Sequence, residues 1–203
     1  MTELWRGAAP LLLASKSSAR RSLLAGAGIP FEAVDAFIDE RAIEAPLRAA
    51  GAGGAEIARH LARAKALAVG AQPDRLVIGA DQTLSLEGQV FAKPPDRAAA
   101  AAQLAALSGR THELHSALCV VRANEVLFEA APVARLAVRR LSLAFIEAYI
   151  AAAGDAVLTS VGAYQIEGLG IHLFEKIEGD HSTILGLPLL PLLTYLREEG
   201  RLV

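Results

Sequence analysis

The sequence predicts an α/β protein with a mixed β-sheet, and three features of the chain support this class. Short apolar runs typical of buried strands recur along the whole sequence. Amphipathic or alanine-rich segments typical of helices lie between them, and glycine or proline separates the two kinds. At 203 residues the chain can bury one substantial core, so we expect a single domain over residues 1–203.

The first half of the chain alternates strands with helices. Leu11–Ala14 is a short apolar run, and Gly26 and Gly28 end the helix that follows it. Ile57 and Leu61 begin the spacing of an amphipathic helix. In order, the predicted elements are a strand at 11–14, a helix at 18–25, a strand at 30–37, a polar loop at 38–45, a flexible break at 51–54, a helix at 55–71 and a buried strand at 75–80.

The second half begins with a hairpin, for which Glu87 and Gly88 form the predicted turn. Gly109 closes an alanine-rich helix, and Asn124 marks a turn between two extended segments. In order, we predict a hairpin at 83–93, a helix at 95–109, extended segments at 111–122 and 126–140, a helix at 142–154, a loop–strand–loop at 162–180 and a last helix from Pro188 or Pro191 to about Glu199.

Charge and cysteine content exclude several classes of protein. The formal net charge is −2, so no general basic field attracts the chain to nucleic acid or to an anionic membrane. The single cysteine, Cys119, excludes a disulfide framework, lies in an apolar run typical of a core and suits a reducing compartment. We therefore expect a cytoplasmic protein whose partner is neither nucleic acid nor membrane.

The apolar character of the chain, with a mean hydropathy of +0.37, raises the question of a membrane span. The longest relevant uncharged run, Ser182–Leu196, has 15 residues and two prolines, whereas a span needs about 20 apolar residues. The apolar run near the N-terminus is too short for a signal peptide and lacks a clear cleavage site. We therefore predict no membrane segment.

Residues 15–21, SKSSARR, place three hydroxyls and two arginines at the end of the first apolar strand. A serine cap followed by solvated arginines is one interpretation. The other is an anion site, because a helix N-terminus has free N–H groups and a partial positive charge that hydroxyls and arginines can complement. The residues alone leave both interpretations open.

Asp81 is the most informative single residue. It directly follows the apolar run at 75–80, so we expect it at the carboxyl end of a buried strand, where open α/β sheets bind ligands. A turn aspartate is the alternative. If this strand and Leu11–Ala14 are parallel neighbours, Asp81 faces the hydroxyls and arginines. A carboxylate opposite a phosphate site holds a divalent metal or activates water as a base.

Four further charged residues have both a surface interpretation and a functional one. Lys65 lies at the border of the apolar stripe of its helix, where it either extends to solvent or reaches an anion in a cleft. Lys93 ends the hairpin and Glu40 lies in the polar loop, positions at which surface residues are common. Glu167 lies in a segment with four glycines, an arrangement that suggests a binding wall.

The five histidines do not predict a zinc site. His112 and His115 are three residues apart on a predicted strand and point to opposite faces, and the other three have no partner at ligand spacing. The sequence also lacks the glycine-rich loops of P-loop and dinucleotide-binding proteins, and the Gly-x-Ser-x-Gly of hydrolases. These classes therefore have no support.

Five segments taken together resemble the Maf family of nucleoside triphosphate pyrophosphatases. They are LLLASKSSARRSLL, VIGADQTL, FAKPPDRAAAAAQLAALSGRTHELHSAL, GAYQIEGLG and IEGDHSTILGLPL. They occur in the order of the family and with compatible spacing from about Leu11 to Leu196, nearly the whole chain. The resemblance implies a two-lobed α/β fold, in which helices flank a twisted mixed sheet around a central cleft.

The same resemblance implies a reaction and the residues that perform it. Members of the family hydrolyse a nucleoside triphosphate between its α- and β-phosphates, giving a monophosphate and pyrophosphate, with a divalent cation such as Mg²⁺ or Mn²⁺. By this resemblance Asp81, Glu40 and Lys65 are catalytic, and Asp81 and Glu40 also hold the metal. The substrate-binding residues that it implies are Ser15, Arg20, Arg21, Lys93 and Glu167.

Two positions resemble the branch of the family that prefers 7-methyl-GTP. Gln82 stands where many members have threonine, and Glu167 where the dTTP/UTP-cleaving branch has glutamine. A carboxylate near the base can accept the N1–H and 2-amino group of guanine.

Two alternatives to this function are a dTTP/UTP pyrophosphatase of the same family and a nucleotide-binding regulator of septum formation or cell division. A homodimer is an expectation at the level of the family.

Overall fold

The computed structural model describes residues 4–203, so the first three residues of the predicted domain lie outside it. Within this range the chain forms eight strands and seven α-helices. The strands are β1 (Leu11–Ala14), β2 (Phe31–Val34), β3 (Val77–Leu86), β4 (Gln89–Phe91), β5 (Thr111–Arg122), β6 (Glu125–Ala130), β7 (Val133–Val138) and β8 (Phe174–Glu178). The helices are α1 (Ser18–Gly26), α2 (Glu40–Ala49), α3 (Gly54–Val69), α4 (Arg97–Leu107), α5 (Leu143–Ala153), α6 (His181–Ile184) and α7 (Leu189–Glu198).

All eight strands join one open, mixed sheet, as the sequence predicted. The main order is β2-β1-β3-β5-β7-β8, with β4 paired to β3 and β6 paired to β5. The pairs β1–β2 and β1–β3 are parallel, and the others are antiparallel. The carboxyl ends of β1 and β2 therefore lie at one edge of the sheet, beside the middle of β3.

Helices cover both faces of the sheet, and the alternation of side chains along the strands explains why. In β1, Leu13 packs on one face with Leu24 of α1 and Leu196 of α7, whereas Leu12 packs on the other face with Ala62 of α3. Successive strand residues point to opposite faces, so a continuous apolar run such as β1 is buried on both. A further core contains α4 and α5.

Asp81 does not end its strand, contrary to the prediction. The ten-residue strand β3 continues to Leu86, because residues 77–85 all pair with the antiparallel strand β5. Only the parallel pairing with β1 stops early, at Ala14 opposite Gly79. Asp81 therefore lies two residues beyond the end of β1 but is held within a strand, which positions it more rigidly than a turn would.

The segment at 38–45, predicted as a loop, instead begins helix α2. Asp39 caps the helix by accepting a hydrogen bond of 3.1 Å from the N–H of Ala42. Glu44 and Arg48 form an ion pair one turn apart, at 2.9 Å. The mixture of acidic residues and Pro46 hid this helix, although Asp39 followed by a helical spacing is an N-terminal signal.

Other element predictions are mostly confirmed, with changes at the boundaries. The break at 51–54 is shorter than predicted, because Gly54 is already the first residue of α3. The extended segment predicted at 126–140 is two strands, β6 and β7, separated at residues 131–132. Cys119 is fully buried, as predicted, and burial raises the pKa of its thiol to about 12. Within residues 4–203, no helix is long and apolar enough to cross a membrane.

Candidate active site

The parallel pairing of β1 with β3 brings two sequence motifs together at the edge of the sheet. The chain leaves β1 at Ser15, and its next residues begin helix α1. The Ser17 hydroxyl caps this helix and accepts a hydrogen bond of 3.4 Å from the N–H of Arg20. The serines therefore do serve as a helix cap, and the same turn directs Arg20 into the protein, so the two interpretations of this motif are compatible.

Arg20 is buried and connects three parts of the chain. Its Nη1 donates to the Ser15 hydroxyl at 3.1 Å and to the Ala80 carbonyl at 2.9 Å, while its Nε donates to the Gly186 carbonyl at 2.7 Å. Burial lowers the pKa of the guanidinium from its usual value, and the charges of Asp81 and Glu40 oppose that shift. The positive charge of Arg20 therefore acts on Asp81, the residue that follows Ala80.

Lys65 reaches the same place from the opposite face of the sheet. Helix α3 packs closely on β3, since a Cβ at Gly79 would collide with the backbone of Ala62 and Ala66. This close approach lets the Lys65 ammonium lie 2.7 Å from a carboxylate oxygen of Asp81 and 2.7 Å from one of Glu40. Of the two interpretations of Lys65, the structure supports the lysine in a cleft.

Burial of Asp81 is the main influence on its ionisation. Removal from solvent raises the pKa of the Asp81 carboxyl above its usual 3.8, and the charges of Lys65 and Arg20 act in the opposite direction. A buried carboxylate between two cations, with a raised pKa, has the properties of a general base.

Two members of the cluster of Asp81, Lys65 and Glu40 line a cavity of about 760 Å³, namely Lys65 and Glu40. Pockets that bind small molecules generally span roughly 300–1,000 Å³, so this one is large enough for a nucleotide. Phe37, on the loop between β2 and α2, is 88% exposed at its rim. The residues that line the cavity are Ala14, Ser15, Lys16, Asp35, Ala36, Phe37, Ile38, Asp39, Glu40, Arg41 and Lys65.

The carboxylates of this cluster fit a divalent cation that is shared with a substrate. Mg²⁺ prefers oxygen ligands and is commonly held by one or two carboxylates, with water and substrate phosphates completing its coordination. Asp81 and Glu40 both contact the Lys65 ammonium, so their carboxylates lie close together. No group of three or more His, Cys, Asp or Glu side chains in residues 4–203 could hold a metal. Asp81 and Glu40 suit a metal whose other ligands are water and substrate phosphates.

Gln82 contributes to the site in a way that sequence reasoning missed. Its amide nitrogen donates to the Ser116 hydroxyl at 2.8 Å and to the carbonyls of Thr183 and Ile184 at 3.1 and 2.9 Å. The bonds to the two carbonyls join β3 to helix α6, the element just before Gly186, and the bond to Ser116 joins β3 to β5. Only the contrast with threonine in the resemblance singled out Gln82, and nothing local to the sequence indicated this contact.

Three of the predicted site residues are not part of the cluster. Arg21 is exposed and donates to the Lys16 carbonyl at 3.1 Å. Lys93 is exposed just after β4, and the structure records no ion pair for it among residues 4–203. Glu167 is exposed and lines a separate hollow of about 290 Å³, together with Ser18 and Ser22 of α1.

The large cavity and the small hollow are lined by neighbouring residues of the SKSSARR motif. Ser15 and Lys16 line the large cavity, whereas Ser18 and Ala19 line the small one. The N-terminal turn of α1 therefore separates Glu167 from the cluster of Asp81.

A comparison with known families confirms the resemblance drawn from the motifs. A family model described as "Maf-like protein" matches residues 10–199. This match includes every predicted site residue, from Ser15 to Glu167.

Proteins with similar sequences have names that agree with that match. A nucleoside triphosphate pyrophosphatase of Rhodopseudomonas palustris is 58% identical over 198 residues, which are 97% of this chain and 96% of the relative. One of Bradyrhizobium diazoefficiens is 58% identical over 197 residues, with the same coverage. A 7-methyl-GTP pyrophosphatase of Rhizobium meliloti is 55% identical over 191 residues, which are 94% of this chain and 96% of the relative.

Proposed function

This chain belongs to the Maf family and is a nucleoside triphosphate pyrophosphatase, and we propose that hydrolysis takes place at a site formed by Asp81, Lys65 and Glu40. The observation that carries this assignment is the contact of the Lys65 ammonium with both carboxylates, 2.7 Å from each, under a cavity of nucleotide size. Water and the α–β phosphoanhydride are the reactants, and a nucleoside monophosphate and pyrophosphate are the products.

Asp81 acts as the general base in this proposal. Its carboxylate takes a proton from water as the water oxygen forms a bond to phosphorus at the α–β anhydride, and the bridging oxygen leaves with its electron pair. The strand β3 holds Asp81 in place, and its raised pKa makes it a better proton acceptor than an exposed aspartate. Proton transfer of this kind contributes roughly 10²–10⁴-fold to a rate.

The cations of the site stabilise the charge that develops during the reaction. Arg20 and Lys65 reach the site from opposite faces of the sheet, so a triphosphate between them meets positive charge on two sides. Three hydrogen bonds use Nε and Nη1 of Arg20, and the two N–H groups of Nη2 are used in none of them. The hydroxyl of Ser15, which accepts a hydrogen bond from Nη1 of Arg20, can itself donate to a phosphate oxygen. Arg21 and Lys93 complete the proposed substrate-binding set at the surface.

Asp81 and Glu40 would also hold the divalent cation, Mg²⁺ or Mn²⁺. When bound, the metal neutralises phosphate oxygens and makes phosphorus easier to attack. Glu40 is half exposed at the start of α2 and Asp81 is almost fully buried, so a metal between them would meet protein on one side and the cavity on the other.

Glu167 supports a specific proposal for the base of the substrate. Glu167 lines the smaller hollow beside α1, so a nucleotide that crosses the first turn of α1 would place its base there. A carboxylate can accept the N1–H and 2-amino group of guanine, whereas uracil and thymine offer one such donor. We therefore propose 7-methyl-GTP as the preferred substrate, as the name of the R. meliloti relative suggests.

A panel of triphosphates with Mg²⁺ or Mn²⁺ tests the activity and the base together. The panel contains 7-methyl-GTP, GTP, UTP, dTTP and CTP, and the products are resolved by chromatography. We expect monophosphate and pyrophosphate from 7-methyl-GTP, with turnover lost in Asp81→Ala and retained in Asp155→Ala, which changes an aspartate that is 83% exposed. Preference for UTP or dTTP would overturn the proposed base, and no turnover of any substrate would favour a nucleotide-binding regulator.

Two further predictions concern the location of the enzyme in the cell and its oligomeric state. We propose a cytoplasmic location, since nucleotides are the substrate and the single cysteine is buried as a free thiol. We also propose a homodimer, on the family resemblance alone. Cell fractionation and light scattering during size-exclusion chromatography test the two, and a membrane-bound fraction or a monomer at all concentrations would contradict them.

A further inference from the structure

The Lys65 ammonium occupies the position between the two carboxylates that would hold a cation. Its nitrogen lies 2.7 Å from Asp81 and 2.7 Å from Glu40. The side chains of Lys65 and Asp81 are both only 10% exposed, so this contact is largely shielded from water. A divalent ion coordinated by the same carboxylate oxygens would have to displace the ammonium.

The charges around Asp81 are already balanced without a metal. Lys65 and Arg20 are positive, whereas Asp81 and Glu40 are negative, and these four groups lie in one buried or half-buried cluster. A divalent ion added alone would leave two uncompensated positive charges there, which is costly away from water. A triphosphate or pyrophosphate brings the negative charge that makes such an addition favourable.

The Lys65 ammonium can move into the large cavity when a substrate binds. Its four-carbon stem is flexible and its ammonium has rotatable donors. The residue lines the large cavity, so its ammonium can leave the carboxylates and contact a phosphate oxygen instead. This movement would free carboxylate oxygens of Asp81 and Glu40 to coordinate a metal when phosphate is present.

We infer that Lys65 closes the cation position in the free enzyme, so that the divalent metal binds only together with the phosphates of the nucleotide. This inference rests on the proposed function for the identity of the ligand, but it concerns the order of binding and not the chemical step. It assigns Lys65 a role in controlling metal entry in addition to stabilising charge.

Binding of Mn²⁺, measured by electron paramagnetic resonance without any turnover, tests this inference. We expect the wild-type protein alone to show no saturable Mn²⁺ binding in the millimolar range. Adding inorganic pyrophosphate, which has no base to select, should produce one protein-bound Mn²⁺ per chain, and water-proton relaxation separates it from Mn²⁺ bound to pyrophosphate alone. Saturable binding by the free wild-type protein, or no protein-bound Mn²⁺ with pyrophosphate, would overturn the inference.

Variants of two lysines separate the effect of Lys65 from that of general charge. Lys65→Met should bind one Mn²⁺ saturably without pyrophosphate, at least about tenfold below the concentration at which free wild-type protein shows none, because removing Lys65 leaves the buried carboxylate of Asp81 and the half-exposed one of Glu40 without their cation. Lys65→Arg keeps the charge and should remain closed, which keeps the test valid if Lys65→Met does not fold. Lys16→Met is the matched control, since Lys16 lines the same cavity but pairs with Asp35 at 2.5 Å. Equal Mn²⁺ binding by Lys65→Met and Lys16→Met, or Mn²⁺ binding by free Lys65→Arg, would contradict a specific role for Lys65.

These outcomes are independent of catalysis. A protein that hydrolyses no nucleotide but shows pyrophosphate-dependent Mn²⁺ binding supports the inference and overturns the proposed activity. A protein that hydrolyses nucleotides but binds Mn²⁺ when free does the reverse.

Discussion

The Nε–H group of Arg20 donates a hydrogen bond of 2.7 Å to the carbonyl of Gly186, a residue 166 positions away in the chain. Gly186 has a φ of +90°, a conformation that residues with a side chain rarely adopt. The same guanidinium also donates to Ala80, so Arg20 joins three of the motifs that suggested the family. The first of these motifs therefore holds the three segments of the site together.

We predict that Arg20→Lys destabilises the protein. Lysine cannot reproduce the planar fork that reaches Ser15, Ala80 and Gly186, so buried carbonyls lose their donor. The free energy of unfolding, measured with urea, should fall by about 2–4 kcal/mol. Arg63→Lys on the exposed face of α3 is the control and should change it by less than about 0.5 kcal/mol. Equal stability of the two variants would show that the buried bonds of Arg20 are not important.

Asp81→Asn should remove the proposed general base while keeping the shape of the side chain. We expect kcat to fall by roughly 10²–10⁴-fold, with a smaller change in KM. Lys65 would keep its ion pair with Glu40, so the site should remain assembled. Steady-state kinetics with thermal unfolding checks both points, and Asp155→Asn at the surface provides the control. A kcat close to that of wild type, in place of a loss of at least roughly 10²-fold, would assign the base to another residue.

The activity should decrease at acidic pH with a pKa above that of an exposed aspartate. Burial raises the pKa of Asp81 above 3.8, and only the deprotonated carboxylate accepts a proton from water. The value of kcat/KM should therefore rise with pH through this pKa and then level off on the alkaline side. The acidic decrease should be absent from the residual activity of Asp81→Asn, and its persistence there would exclude Asp81 as the titrating group.

His112 should make the stability of the protein sensitive to acid. It is fully buried beside Tyr164, with 2.7 Å between Nε2 and the phenol oxygen, and burial lowers its pKa from 6.5 to about 4. Between these values the unfolded chain binds more protons than the folded one, so stability is lost as pH falls from about 6.5 to about 4.

The expected loss from His112 is about 3 kcal/mol across this range, since one pKa unit corresponds to about 1.4 kcal/mol. Urea unfolding at a series of pH values measures the loss. His112→Gln does not titrate and should flatten the curve by about that amount, whereas changing the exposed His60 to glutamine should leave it unaltered. An unchanged curve in His112→Gln would assign the acid sensitivity to other groups.

Glu167→Gln should shift the preference for the base from guanine toward uracil or thymine. The amide can donate as well as accept, so it suits a pyrimidine carbonyl better than the guanine N1–H and 2-amino pair. The ratio of kcat/KM for 7-methyl-GTP to that for UTP should fall, by about 10-fold if one hydrogen bond to a charged group is lost. Glu175→Gln, an exposed glutamate in β8, is the control. An unchanged ratio in Glu167→Gln would exclude Glu167 as the selecting residue.

Most of the local structure follows from short-range pattern. The apolar runs of β1 and the first half of β3, the spacing of Ile57 and Leu61 in α3, and the turn at Glu87 and Gly88 were all predictable, because each is encoded within a few neighbouring residues. Helix α2 was missed since its signal, a capping Asp39, competes with polar composition and a proline. The extent of β3 beyond Asp81 was missed because pairing with β5 decides it.

The sequence by itself determined the class of the fold, the family and the residue types available for chemistry, since these depend on which residues occur and in what order. Only the tertiary structure decided which charges meet. Asp81, Lys65 and Glu40 are distant in the chain, and they come together because β1 pairs with β3 and α3 packs on Gly79. The same packing leaves Glu167 and Lys93 outside this cluster. Ionisation also depends on the fold, because the shifted pKa of Asp81 arises from burial and neighbouring charges that no local pattern contains.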